Sequence, residues 1–493
     1  MKSSNQLSLI GAAVSAALGT NAYALGPNAW GTLNAIYYNG GGSTEVQAVY
    51  TAVLKCLTAS TVDVYTDGTG TSKHPQSQSY LILSGTTNGS CGAAGANIGF
   101  FYKYNGGAFT NGVQPQLASG STLLPYPTTT QLASATVLAT FSGTVSSVNP
   151  DYTFASSPAG SIQPDWGISD GEGSLFQYFW NANNSGVKVV PNGQTNLWVA
   201  PFGIAVTATD YAQKTTWSKA EITAIYQGLT GPYGITAWSQ LTGDSGAPLT
   251  IAGGINLLDR GSGAGAKAAV NDYFFNYPSQ IGPAGGAAPP NSVGAANANL
   301  GYTGSTLVTN GAATASYQDI KEGSSVSLTD DLNAAQAAGL GALGVLGLEF
   351  PPLFEQASAG TNSYYFVAIN GTYPDTQAGT TDNINSPTPG TTHYTNVVNG
   401  TYDFAVQVSF QHKNAIPPGF EAGLVANLEA ATISSAATGL PFPSSTPGVL
   451  LDPLTTLTTT AGNVSWTRSG NTASSPVFAT TVAPPAAVPL ASQ

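Results

Sequence analysis

The residues with the clearest chemical potential lie in one segment, Gly254 to Phe275. An apolar run leads into Arg260, one of only two arginines in the chain, and then into a glycine-rich turn followed by helix-forming residues. A glycine-rich turn that opens a helix leaves backbone N–H groups without partners and places the positive end of the helix dipole there. Because arginine adds a planar set of donors, the segment predicts an anion site. The alternative is a simple strand–turn–helix connection with an incidental arginine.

Three further turns have a related composition. Gly40 to Gly42 precede Ser43 and Thr44 and a helix predicted to run through Leu57. The two hydroxyls would either cap this helix or reach a ligand. A glycine-rich turn at residues 106–112 contains Thr110, and the segment 164–173 ends a predicted strand with Ser169 and Asp170. The simplest interpretation of that carboxylate is a solvated turn residue, unless the other turns lie beside it.

Histidines and carboxylates give no catalytic or metal-binding pattern. His74, His393 and His412 have no metal-ligand spacing with each other or with the two cysteines. The segment 243–249 is similar to the nucleophile segment of trypsin-like proteases, but only His74 precedes Ser245, and its sequence context differs. We therefore expect a protein that is not an enzyme, with no catalytic residue, metal or cofactor.

The beginning of the chain indicates export. Residues 1–24 combine a basic start, an apolar run too short to span a bilayer and an Ala-x-Ala cleavage site, which together are typical of a secretory signal peptide. We expect a periplasmic or secreted protein without membrane insertion. In an exported chain, Cys56 and Cys91 most simply form one disulfide, although two free thiols are the alternative.

Composition narrows the range of partners. Charged residues make up only 7% of the chain and the formal net charge is −12, whereas about 25% charged residues is usual. A negative charge argues against nucleic acid and against anionic membrane surfaces. It does not exclude a small anion, because the local field of a site can oppose the global one.

Several elements have clear sequence signals. Ser218 to Gly228 predicts a helix with an N-terminal capping box and a glycine stop. An alanine-rich helix is predicted at Asp331 to Leu340, and residues 278–315 are predicted to form a surface insertion. Strands at residues 195–205 and 398–410 are interpreted as two crossings between lobes.

Taken together, these segments resemble the phosphate-binding proteins of ABC transporters, in the type 2 periplasmic-binding-protein superfamily, from residue 36 to about residue 412. The best match is residues 216–275, which are similar to the family's helix, its tryptophan turn and its arginine–glycine loop. Residues 165–170 are similar to the segment with the family's ligand-binding carboxylate, and Gly40 to Thr44 are similar to its first anion loop.

The resemblance implies a two-lobed α/β fold with a ligand cleft between the lobes. The expected divisions of the chain are a signal peptide at 1–24, the first lobe at 25–203, the second lobe at 204–397, a return to the first lobe at 398–440, and a Pro/Thr/Ala-rich segment at 441–493.

The resemblance also places Thr44, Asp170 and Arg260 on binding positions, with the backbone amides of residues 263–265 nearby. The full set of candidate ligand-binding residues is Ser43, Thr44, Thr110, Ser169, Asp170, Arg260, Ser262, Gly263, Ala264 and Gly265. The expected ligand is phosphate or a related oxyanion. It would be delivered to an ABC permease or scavenged outside the cell. Asp170 would accept a protonated phosphate and discriminate against sulfate.

Three residues depart from the family pattern. Ala264 and Ala266 stand where the family has hydroxyl groups, and Glu45 adds a negative charge near the site. A charge-assisted hydrogen bond contributes about 1.5–3 kcal/mol, so the lost donors would weaken binding or redirect it to another ligand. The alternative function is therefore a secreted cell-surface or matrix protein on the same scaffold with a degenerate cleft.

Overall fold

The structure is a computed structural model of the 493-residue chain. The residues it describes are 25–42, 45–67, 79–104, 107–118, 121–137, 151–155, 160–171, 173–176, 193–228, 233–261, 263–275, 317–323, 325–348, 350, 352, 363–378, 383–386, 395–398, 401–428, 457–459, 462–467 and 477–480. The predicted signal peptide, the predicted insertion at 278–315 and most of the segment 441–493 lie outside these ranges.

The strands, in chain order, are β1 Ala35–Gly40, β2 Asp63–Thr66, β3 Tyr80–Thr86, β4 Asn97–Lys103, β5 Leu124–Tyr126, β6 Thr136–Val137, β7 Tyr152–Thr153, β8 Gly160–Ile162, β9 Trp166–Ser169, β10 Gly193–Thr207, β11 Thr216–Trp217, β12 Ile255–Arg260, β13 Tyr317–Glu322, β14 Ala342–Gly347, β15 Tyr364–Phe366, β16 Ala368–Ile369, β17 Ala405–His412, β18 Leu457–Thr459, β19 Gly462–Thr467 and β20 Val477–Thr480.

The α-helices are α1 Val46–Cys56, α2 Thr129–Ala133, α3 Ala208–Tyr211, α4 Lys219–Gln227, α5 Gly265–Phe275, α6 Ser325–Ala337, α7 Thr395–Val398 and α8 at 420–428. Short 3-10 helices lie at Pro27–Gly31, Ala59–Thr61, Gln114–Gln116, Gly173–Phe176 and Trp238–Gln240, and a π-helical turn lies at Phe109–Val113.

One long strand joins the two halves of the main sheet, whose order is β13-β12-β14-β10-β17-β9-β1-β4-β3-β2-β7-β6. Residues 193–201 of β10 pair antiparallel with β17 on the first-lobe side, whereas residues 202–206 pair antiparallel with β14 on the second-lobe side. Each half contains parallel strands next to this junction, β9-β1-β4 in one and β14-β12-β13 in the other. The predicted two-lobed α/β fold is confirmed, and the exact divisions of the chain stay a prediction.

Local signals account well for two of the second-lobe helices. The Ser218 hydroxyl accepts a hydrogen bond from the backbone N–H of Glu221, and the Glu221 side chain accepts one from the backbone of Ser218, so the predicted capping box is present. Helix α5 begins at Gly265 and ends at Phe275, as the glycine turn and the apolar spacing predicted.

Helix α6 corrects one prediction. The expected helix began at Asp331 and ended at Leu340, but the structure has Ser325–Ala337. The earlier start follows from burial of Leu328 and Leu332, which lie four residues apart on one face and pack into the core. The earlier end follows from Gly339, whose φ of 69° terminates the helical geometry.

The predicted disulfide is confirmed and anchors the first lobe. Cys56, the last residue of α1, is bonded to Cys91, with their Cα atoms 5.1 Å apart. Helix α8 packs against this bond, because a Cβ at Gly423 would lie 2.5 Å from the Cys91 Cα. The disulfide therefore joins α1 to the loop before β4 and supports helix α8.

Within the described ranges, no helix is long and apolar enough to cross a membrane.

Candidate functional site

Parallel strands bring three turns of the first lobe to one edge of the sheet. In β1, Gly40 is opposite Lys103 of β4 and Gly167 of β9, so the chain leaves all three strands at the same end. The loop 40–42, the turn at 107–113 and the turn at 169–171 therefore lie side by side. In open α/β sheets, ligands bind beyond the carboxyl ends of parallel strands, so this edge is the place to look for a site.

Glycine is required in the first of these turns by the closeness of its neighbours. A Cβ at Gly41 would lie 2.5 Å from the Ile168 carbonyl oxygen and would also overlap the Tyr102 hydroxyl. The Tyr102 hydroxyl donates a hydrogen bond to the Gly42 carbonyl oxygen at 3.0 Å. Gly41 thus lets the loop pack directly onto β4 and β9.

Asp170 lies directly against the N-terminus of helix α5. A Cβ at Gly265, the first residue of that helix, would overlap the Asp170 carboxyl group. Asp170 comes from the first lobe and α5 from the second, so the two lobes meet here. The residue is 6% exposed, and within the described part of the chain its Oδ1 atom has no hydrogen-bond partner. A buried carboxylate oxygen without a donor is costly unless another group supplies one.

Glu45 shares this space with Asp170. A Cβ added at Gly42 would lie 2.6 Å from Glu45 Oε2 and 3.1 Å from Asp170 Oδ1. The two carboxylate oxygens are therefore near each other. Glu45 is fully buried and occupies the N-cap position of α1, without a capping hydrogen bond from its side chain. The structure thus concentrates two acidic side chains at the junction of the lobes.

The negative charges of both carboxylates affect the pKa of Tyr102. Its pKa is raised well above the ordinary value, first by burial and then by the negative charges of Glu45 and Asp170. The phenol therefore remains a neutral hydrogen-bond donor, and it is already used to hold the loop at Gly42.

A backbone contact connects the lobes beside these side chains. The N–H of Phe109 donates a hydrogen bond to the carbonyl oxygen of Gly263 at 3.1 Å. Gly107 has a φ of 95°, and a Cβ there would lie 2.7 Å from the same oxygen. Only glycine fits at this position, for both conformational and steric reasons. The π-helical turn with Thr110 therefore lies against the glycine turn of the second lobe.

Arg260 is buried at the end of β12 and has partners inside the second lobe. Its Nη1 atom donates a hydrogen bond to the Ser325 hydroxyl at 2.6 Å. Its Cα partner across the parallel pair with β13 is Glu322, and the arginine charge counteracts the rise in the pKa of Glu322 that burial causes. Part of the guanidinium is thus used to join β12, β13 and α6.

A buried ion pair stabilises the start of helix α5. The Lys267 Nζ atom lies 2.5 Å from Asp259 Oδ2, and both side chains are at most 3% exposed. The other oxygen of Asp259 accepts the backbone N–H of Arg260 at 2.8 Å. These bonds fix the glycine turn between Arg260 and Lys267 from both sides.

The predicted site residues divide into three groups. Those that meet at the lobe junction are Thr110, Asp170, Gly263, Ala264 and Gly265. Arg260 lies at the base of the same glycine turn, and the Ser169 hydroxyl accepts a hydrogen bond from the Gly171 N–H within its own turn. The remaining predicted residues, Ser43, Thr44 and Ser262, lie outside the described residues.

Sequence reasoning missed two contributors to the site. Neither Tyr102 nor Phe109 was among the predicted site residues, although Phe109 lies in the glycine-rich turn at 106–112. Their roles depend on contacts with residues 60 positions or more away, such as the bond from Tyr102 to Gly42. The sequence around Tyr102 gives no indication of such a role.

Comparisons with known proteins add little to this geometry. No protein-family model and no curated protein matches the sequence. Among solved structures, similar chains include a phosphate ABC transporter substrate-binding protein with bound phosphate from Clostridium perfringens (12% identity, TM-score 0.30, covering 57% of this chain and 79% of that one). An ABC-type phosphate transport receptor from Vibrio cholerae (14%, 0.29, 52% and 75%) and a possible phosphate-binding protein from Planctomyces limnophilus (13%, 0.28, 57% and 77%) are also similar. At these values the likeness carries no argument about ligand or family.

Proposed function

We propose that this protein is an exported solute-binding protein that captures phosphate or a related oxyanion between its two lobes. The observation that carries the proposal is Asp170, a buried carboxylate of the first lobe at the N-terminus of a second-lobe helix, whose Oδ1 atom has no hydrogen-bond partner among the described residues. The helix end supplies N–H donors and a positive dipole, and Asp170 supplies an acceptor. A site with both donors and an acceptor suits an oxyanion that carries its own proton.

Export is part of the proposal and has two supports. The first residues have the composition of a secretory signal peptide. The single disulfide is typical of proteins that fold in an oxidising compartment. Delivery to an ABC permease or scavenging of phosphate outside the cell would both use the same cleft.

Calorimetric titration with inorganic phosphate tests the proposal. We expect a saturable binding heat for the wild-type protein and none for Gly265→Ala, because the added methyl group takes the space of the Asp170 carboxyl at the helix end. The matched control is Gly31→Ala, where a Cβ meets nothing within 4 Å, and this variant should bind like the wild type. Folded wild-type protein that gives no heat at millimolar phosphate would refute the function.

A second candidate is a secreted surface or matrix protein whose cleft no longer binds a ligand. Arg260 favours it, because its guanidinium donates to Ser325 inside the second lobe. Ala264 and Ala266 also supply no hydroxyl donors at the helix end. This candidate gains support if phosphate gives no heat while circular dichroism shows a folded protein.

A further inference from the structure

The first residues that the structure describes are bonded to a buried carboxylate. Asp63, the first residue of β2, is 1% exposed. Its Oδ2 atom accepts a hydrogen bond from the backbone N–H of Gly26 at 2.6 Å, and the backbone of Leu25 also hydrogen-bonds to this carboxyl group. Leu25 directly follows the predicted Ala-x-Ala cleavage site at residues 22–24. The nitrogen atom that cleavage would free therefore lies within hydrogen-bond reach of Asp63.

Local geometry fixes the position of these first residues. Gly26 has a φ of 68° and a ψ of 169°, a combination that is essentially restricted to glycine. The 3-10 helix Pro27–Gly31 follows and places Trp30 in the core, where its ring centre is 5.4 Å from that of Tyr65. The first residues of a domain are poorly ordered unless they are tied down. The turn and the tryptophan thus keep Leu25 beside β2.

The charged groups that the structure describes around Asp63 are acidic. Burial raises the pKa of Asp63 to about 6, the N–H of Gly26 opposes the rise, and the charge of Asp151 adds to it. Asp151 accepts the backbone N–H of Val64 at 2.8 Å, and burial raises its pKa as well. Among the described residues, neither carboxyl group forms an ion pair with a lysine, arginine or histidine. An ammonium group at this position would be stabilised by both carboxylates.

The other groups that face Asp63 are neutral. Ser84, its partner residue on β3, supplies a hydroxyl that hydrogen-bonds to it. Tyr65 on β2 and Tyr152 on β7 stay protonated at neutral pH, because burial and, to a smaller extent, the charge of Asp63 raise the pKa of each phenol. These groups can donate hydrogen bonds, but they cannot neutralise the charge of a buried carboxylate.

We propose that cleavage after Ala24 converts the Leu25 nitrogen into an ammonium group that forms a buried ion pair with Asp63. This inference rests on the export that the proposed function includes. A leader peptidase would hydrolyse the Ala24–Leu25 peptide bond with one water molecule. The new carboxyl group on Ala24 would release a proton, and the new amine on Leu25 would take one up. A donor with a full positive charge gives a shorter and stronger hydrogen bond than a neutral amide N–H.

The ion pair should shift the pKa values of its two partners in opposite directions. An α-amine has an ordinary pKa of about 7.7–8.0. A carboxylate within hydrogen-bond reach favours the charged amine and should raise this value by about one unit or more. The pKa of about 6 for Asp63 belongs to a chain in which Leu25 carries an amide nitrogen. It should fall once that nitrogen is an ammonium group.

Mass spectrometry and acetylation of the exported protein test the ion pair. The chain is expressed with its own leader, and the first residue of the purified, processed protein is identified; we expect Leu25. Brief acetylation with acetic anhydride at several pH values then measures how fast the α-amine reacts. Only the deprotonated amine reacts, so the midpoint of the rate against pH gives its pKa. We expect a midpoint about one pH unit or more above the ordinary range.

Two altered chains remove the ion pair in different ways. Asp63→Asn removes the negative charge. Insertion of one alanine between Ala24 and Leu25 keeps Asp63 but moves the ammonium group by one residue, so it tests the pair even where Asp63→Asn does not fold. Each midpoint should fall by about one pH unit relative to the wild type. The matched control is Asp210→Asn, a fully buried carboxyl group in α3 that accepts the Ala342 N–H at 3.0 Å and should keep the raised midpoint.

The outcomes separate this inference from the function on which it rests. A first residue other than Leu25, an ordinary midpoint in the wild type, or a raised midpoint that either altered chain retains while folded overturns the ion pair. Calorimetric titration of the same wild-type preparation with inorganic phosphate tests the binding site separately. Saturable binding heat with an ordinary midpoint leaves the proposed function standing without the ion pair. A raised midpoint without binding heat supports the ion pair and refutes phosphate binding.

Discussion

Asp259 in the second lobe and Glu421 in the first are both almost fully buried carboxyl groups, but their partners differ. Asp259 faces the Lys267 ammonium at 2.5 Å. Glu421, in helix α8, accepts a hydrogen bond from the indole N–H of Trp166, which is a neutral donor. Burial raises the pKa of Glu421 from its ordinary 4.5 to about 8, and the charge of Asp165 adds to the rise.

The difference indicates how each lobe contributes to the site. The Lys267 ammonium holds the Asp259 carboxyl group in one position, so the second lobe presents a fixed helix end. With a neutral donor only, the Glu421 carboxyl group keeps its proton over a wider pH range than an exposed glutamate does. At the site itself, the Oδ1 atom of Asp170 has no hydrogen-bond partner in the described residues, so it can accept a hydrogen bond from a ligand.

The largest expected effect is on stability as a function of pH. In the folded protein Glu421 keeps its proton up to about pH 8, whereas in the unfolded chain it loses it near pH 4.5. Between these values folding takes up a proton, so the free energy of unfolding should fall by about 1.4 kcal/mol per pH unit as the pH rises. Below and above this window, Glu421 should contribute no slope. Urea unfolding at several pH values measures the change.

Glu421→Gln is the control for this prediction, because its amide oxygen still accepts the Trp166 N–H but has no proton to lose. The variant should lose about 1.4 kcal/mol per pH unit of this slope between about pH 4.5 and 8. Asp63, whose pKa burial raises to about 6, and Asp210, whose pKa burial raises well above its ordinary value, would leave a residual slope of the same sign. A profile as steep as that of the wild type would contradict the assignment to Glu421.

Removal of the charged partner in the second lobe should have the next largest effect. Lys267→Met leaves Asp259 buried without its cation, and breaking a buried pair in this way costs about 3–5 kcal/mol. The matched control is Lys219→Met. The Lys219 ammonium is half-buried and lies 3.8 Å from the centre of the Tyr273 ring, so its loss should cost only about 1 kcal/mol. If chemical denaturation at neutral pH shows the same loss in the free energy of unfolding for both variants, the Lys267–Asp259 pair stabilises the protein no more than the Lys219–Tyr273 contact does.

A smaller effect is expected in the loop between β1 and helix α1. In Gly41→Ala the new methyl group would press on Tyr102 and on the Ile168 carbonyl, and such overpacking costs about 1–3 kcal/mol. Gly31→Ala, with open space around the added carbon, should change the melting temperature little. If both variants melt alike, the close packing at Gly41 does not contribute to the stability of the protein.

Much of the local structure could be predicted because its causes are local. The capping box at Ser218 and the helix that begins at Gly265 depend on residues only a few positions apart. The disulfide followed from the presence of two cysteines in a chain with the signals of export. Helix α6 was predicted too late in the chain because its first turns depend on burial of Leu328, which no local pattern reveals.

The sequence alone thus determined that glycine turns open helices, that a lone arginine precedes one of them and that an aspartate ends β9. Only the tertiary structure decided which of these groups face each other. It placed Glu45 beside Asp170, 125 positions later, and it bonded Arg260 to Ser325. Such pairings arise because parallel strands far apart in the chain end at one edge of a sheet, and their register decides which side chains share a buried space.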